Sequence, residues 1–209
     1  ISKKPFDFHA RILFWILLLF ALASFTSPGI FYAGTDIFGI IVRVSHAISY
    51  IFGIAVFLQF SFVFPLIEKR SNLLAAVIYV PSLILALFIS VVMTVSMISF
   101  EDFFIRLYED SWTLLQSLLT VSILFGVFNF YTSARKMSSK ADKHKVQWIL
   151  WGITTGVFPY IIFFVIPTVT GMHVLFPEEY SMLPLIIVPI SFAFAVLKYR
   201  IFDIEVIIK

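Results

Sequence analysis

Cysteine is absent from the chain. That excludes a disulfide framework and thiolate metal sites. Charge is scarce as well: 13% of the residues are Asp, Glu, Lys or Arg. Soluble globular domains carry about 25%, so this chain cannot clothe a water-facing globule. Catalytic motifs are missing. There is no P-loop, no His-Glu-x-x-His, no Gly-x-Ser-x-Gly and no dinucleotide-binding glycine cluster. The four histidines, His9, His46, His144 and His173, are scattered and point to no metal site. No carboxylate sits in the middle of a hydrophobic run, where a cation- or proton-coupled pump needs one. No internal repeat supports an inverted-repeat transporter. The chain itself therefore offers no catalytic residue, no metal ligand set and no cofactor site.

What is present is hydrophobicity. Of the 209 residues, 61% are hydrophobic and 26 are Phe. The apolar residues fall in six runs, over 12–25, 44–65, 73–98, 112–131, 146–170 and 182–199. A bilayer core of about 30 Å needs roughly 20 apolar residues per helix. The first run is short unless its flanks are included. Lipid tolerates only helices and closed barrels. Continuous runs, rather than alternating ten-residue segments, select helices. The expected fold is all-α: a polytopic bundle of six transmembrane helices, one membrane domain over residues 1–209. The connections are too short to hold a core of their own. No small-residue cleavage site marks a signal peptide.

The connections also give an orientation. The N-terminal segment carries Lys3, Lys4 and Arg11, and the connection after the second run carries Lys69 and Arg70. The one after the fourth carries Arg135, Lys136, Lys140, Lys143 and Lys145, and the tail carries Lys198, Arg200 and Lys209. The alternate connections, 27–39, 100–111 and 171–181, hold Asp36, Glu101, Asp102, Glu109, Asp110, Glu178 and Glu179 against one basic residue, Arg106. Basic loops stay in the cytoplasm. Both termini are therefore expected inside, and only Arg43 and Arg106 depart from the rule. The net charge of +3 is then a membrane-topology signal and implies no nucleic acid.

Three residues near the outer start of the second run form a candidate signal-binding group: Asp36, Arg43 and His46. Asp36 and Arg43 are about two helical turns apart, and an ionisable residue in a span is a functional hypothesis by default. The alternative is snorkelling to the headgroups. Gln59, Gln116 and Asn129 are uncharged polar residues within runs, expected to bond to neighbouring helices. Trp15, Trp112, Trp148 and Trp151 fit interfacial belts. Gly152 and Gly156 have the spacing that lets two helices approach closely, within one chain or between two. Pro159, Pro167, Pro184 and Pro189 punctuate the last two runs. Each breaks a helical hydrogen bond, giving either a static kink or a hinge.

Two stretches carry a resemblance. KVQWILWGITTGVFPYIIFFVIP, at 145–167, is similar to a motif helix with a basic-Gln-Trp start, two spaced glycines and a proline. PISFAFAVLKYRIFDIEVIIK, at 189–209, is similar to a proline-containing last helix followed by a Tyr-Arg-x-Phe-Asp-Ile-acidic exit. Together they resemble the end of the multi-span membrane sensor region of bacterial sensor histidine kinases. Related regions precede serine/threonine phosphatases. The resemblance covers roughly residues 140–209; upstream only hydropathy and topology match. It implies an input module in the bacterial inner membrane, in contact with the lipid bilayer, relaying an unknown signal ligand to a C-terminal kinase. The residues it singles out are Tyr199, Arg200, Phe202 and Asp203 as the coupling exit. Gln147, Trp148, Gly152, Gly156 and Pro159 form the motif helix. The phosphoacceptor His, ATP, Mg, a homodimer and a response regulator would all belong to the full-length protein. A start on Ile1 and an uncapped amphipathic end are what a piece of a longer protein is expected to show. A lost upstream span and a downstream catalytic domain are the matching expectations.

Overall fold

The computed structural model describes residues 8–27, 36–64, 72–137 and 140–199. Among them there is no β-strand. Helix α1 spans Phe8–Phe25, α2 Ile37–Val63, α3 Asn72–Ser99, α4 Asp102–Lys136 and α5 Lys140–Tyr160. A π turn, Ile161–Val165, continues α5 into α6, Ile166–Thr170. Then α7, Glu178–Met182, runs through a 3₁₀ turn, Leu183–Ile186, into α8, Ile187–Tyr199.

Four of these units are long and apolar enough to cross a membrane: α2, α3, α4 and the rod Val146–Thr170. Two shorter apolar helical stretches, Arg11–Phe25 and Tyr180–Phe192, correspond to the first and last runs. Pro184 lies in the 3₁₀ turn and Pro189 in the first turn of α8, so the last run is not one regular helix. The fourth run extends further than its hydropathy indicates. Residues 102–111, expected as part of a connection, are helical. They contain no Gly or Pro, and their charged side chains tolerate a solvated helix end. The 35 residues of α4 give about 52 Å. The excess over a 30 Å core carries Asp102, Glu109 and Asp110 at one end and Arg135 and Lys136 at the other. The connection from α3 is only Phe100 and Glu101, with Phe100 left-handed at φ 53°.

Helix α2 is the centre of one half of the bundle, packing on α1, α3 and α4. Its apolar window is 61% buried, against 28% for α3. Helix α3 turns Val77, Val80, Ile84, Leu87 and Val91 outward, as a lipid-facing helix does. In the other half, α5 packs on α8 and the 3₁₀ turn. The halves meet where α4 touches α5, through a core that includes Phe57, Phe60, Phe130 and Phe192. The Phe60 ring centroid lies 5.7 Å from those of both Phe130 and Phe192. Such aromatic contacts give helices in lipid the close packing that water exclusion cannot supply there.

Candidate functional site

Three features stand out among the described residues: a polar aromatic cluster, a glycine seam and an apolar cavity, the last two sharing Val188.

The side chains of the cluster come from four elements, α2, α4, α5 and α7, and α1 adds a backbone carbonyl. Arg43, His46 and Tyr50 recur at helical spacing on α2, with Arg43 half-buried and His46 and Tyr50 buried. The His46 Nδ1–H donates to the carbonyl of Ala23 on α1 at 2.8 Å. Its Nε2 is buried without a hydrogen-bond partner among the described residues. Trp112 of α4 lies 5.6 Å from the His46 ring and 5.7 Å from the Tyr50 ring, and Tyr108 is 6.2 Å from Trp112. The Tyr160 hydroxyl on α5 donates to Glu178 Oε1 at the start of α7, 2.9 Å away. A hydroxyl has one proton, so across the 3.0 Å contact between Tyr50 and Tyr160 the donor is Tyr50. A directed chain Tyr50 → Tyr160 → Glu178 thus joins α2, α5 and α7.

Gln116, one turn below Trp112, is 0% exposed, and neither carboxamide atom has a partner among the described residues. The other two polar residues do bond across helices. Tyr79 donates to Gln59 Oε1 at 2.6 Å, and Asn129 Nδ2 donates to Ser61 at 3.4 Å. Of the candidate signal-binding residues, His46 is buried in the cluster and Arg43 is half-buried on the same helix face. Asp36 is exposed and caps α2, its carboxylate accepting the Gly39 N–H at 3.0 Å. Arg43 sits between these levels.

The glycine seam joins α5 to α8. A methyl group on Gly152 would overlap the Ser191 side chain; one on Gly156 would come within 2.7 Å of Val188 Cγ2 and 3.1 Å of the Pro184 carbonyl. Both glycines therefore serve packing within the chain. The prolines shape this seam. Pro159 has no N–H for the carbonyl of residue 155. The ladder resumes with the π turn, where the Ile166 N–H reaches the Ile161 carbonyl. Pro167 is buried at the start of α6. Gly171, at φ 70°, closes the rod with a left-handed cap, and the Met172 N–H bonds to the Pro167 carbonyl at 2.9 Å.

The cavity, about 510 Å³, lies between α1 and the last helices, with walls from α2, α4 and α5. Ile16 and Phe20 face it from α1, Ile153 and Val157 from α5, and Leu185, Pro189 and Phe192 from the exit side. Among the described residues, Ser24 is the one polar side chain in its lining. It is of the size that holds a small ligand.

Comparison with known families, characterised proteins and solved structures returns no match.

Tyr199 ends α8, while Arg200, Phe202 and Asp203 lie outside the described residues. Gln147 Oε1 accepts from the His144 Nδ1–H at 3.0 Å, and the Trp148 ring lies 4.3 Å from Phe194 of α8. Among the described residues, no three His, Asp or Glu side chains gather as metal ligands. Sequence reasoning missed Tyr50, Tyr108, Tyr160 and the role of Glu178. Arg43, His46 and Tyr50 do recur at i, i+3 and i+7, a one-face signal visible in the sequence. Nothing local links them to Tyr160, 110 residues away from Tyr50.

Proposed function

We propose that this chain is the signal-input region of a membrane-bound sensor histidine kinase. In this reading it is a six-span bundle in the bacterial inner membrane with both ends in the cytoplasm. The alternation of basic and acidic connections supports the topology. The observation that carries the sensing role is the double use of the exit side. Leu185, Val188, Pro189 and Phe192 wall the cavity, while Pro184, Val188 and Ser191 pack on Gly152 and Gly156. An occupant that changes the cavity acts directly on the α5–α8 seam. Helix α8 then leads to the Tyr199–Arg200–Phe202–Asp203 exit. A signal biases this seam only through different affinities for its two arrangements. ATP and Mg, the homodimer and the response regulator belong to the downstream kinase in this reading.

The test is to read the coding sequence beyond Lys209 and to incubate membranes holding the full-length protein with radiolabelled ATP. A dimerisation helix with a phosphoacceptor His, an ATP-binding lobe and acid-labile protein phosphate are expected. A metal-dependent phosphatase domain in that place would overturn the kinase output and keep the input role. A stop codon directly after Lys209 would overturn both.

A further inference from the structure

We propose that the cavity between α1 and the last helices binds an acyl chain taken laterally from the bilayer. As a statement about the signal it rests on the sensor reading; as a binding site it stands alone. The first argument is the lining. Among the described residues Ser24 is the one polar side chain of the lining, fewer than the two to four partners a buried water needs, and apolar cavities of this kind stay dry and take apolar guests. The second is access. Ala21, Leu183 and Ile186 line the cavity and are also exposed on the outer surface of the bundle. The opening therefore lies among apolar side chains on a lipid-facing surface, where hydrocarbon is the solvent. The third is that the walls are held apart. Helix α1 packs along α2, and no comparable seam joins it to α8 among the described residues. Its outer end is pinned by the His46–Ala23 bond. Lower down, Leu19 packs over Gly53 of α2, its Cβ 3.7 Å from where a methyl on that glycine would stand, an ordinary contact distance. Helix α1 cannot swing across to fill the gap without giving up both contacts. The guest touches Ile16 and Phe20 on one side and Pro189 and Phe192 on the other. It therefore bridges α1 and the exit helix.

The experiment places the full-length protein in dioleoylphosphatidylcholine vesicles with a palmitate bearing a mid-chain diazirine. A parallel arm uses phosphatidylcholine with the same diazirine in one tail. Saturable labelling of peptides covering 16–24 and 182–192 is expected. Competition by unlabelled palmitate in the first arm identifies a free fatty acid as the guest. Saturation in the second arm alone identifies a phospholipid tail, and either result supports the site. Ala21→Trp and Ile186→Trp place bulk at the exposed rim, where folding is little affected. Each is expected to lower saturable labelling about tenfold, the affinity of roughly two buried methylene groups. Val121→Trp, on an exposed face of α4 away from the cavity, is expected to leave it unchanged. Labelling that rises linearly with probe and falls equally on α3 overturns the proposal. Saturable labelling with unmoved autophosphorylation keeps the site and removes the sensor role. Absence of saturable labelling with intact kinase activity does the reverse.

Discussion

His46 and Gln116 show how much one buried polar atom depends on its surroundings. Both sit at the level of the aromatic cluster, and both leave a ring nitrogen or a carboxamide without a partner. A buried unsatisfied polar group costs about 1–3 kcal/mol. Gln116→Leu, which removes two such atoms at similar volume, is therefore expected to raise the stability of the purified protein by about that amount. Thermal unfolding in detergent reads the change. A drop instead would reveal a bound group on the carboxamide. The sequence identified Gln59, Gln116 and Asn129 as equivalent in-span polar residues. Their partners depend on which helix lies opposite, and only Gln59 and Asn129 find one.

At the scale of elements, the glycine pair and the prolines act together. Pro159 and the π turn shift the register of the rod just beyond the seam, and the 3₁₀ turn holding Pro184 tightens the chain entering α8. The glycines let the two backbones close on each other. Gly152→Ala is expected to cost about 1–3 kcal/mol by overpacking against Ser191. Ser191→Gly in the same chain is expected to restore most of the loss, because it removes both overlapping atoms. Equal melting temperatures for Gly152→Ala and the parent would show that α8 does not pack there. The spacing of the glycines was visible in the sequence. Whether they served the chain itself or a second copy depended on where α8 returned.

At the scale of the molecule, the runs pack as two halves, one centred on α2 and the other on the α5–α8 pair, joined where α4 meets α5. The absence of cysteine makes its topology directly measurable. Glu109→Cys and His173→Cys, both exposed, are expected to react with an impermeant maleimide in intact cells. Lys136→Cys is expected to react only after lysis. The opposite pattern would overturn the six-span orientation.

The sequence by itself determined the helical class and the hydrophobic runs, because each is a local property of 20 or so residues meeting lipid. It also set the alternation of charge between connections. Only the tertiary structure decided which residues share a site. Tyr50, Trp112, Tyr160 and Glu178 come from four elements. The cavity is a gap between helices, and no single helix carries a signal for it. Contacts between distant elements depend on packing angle and rotation, to which hydropathy is blind.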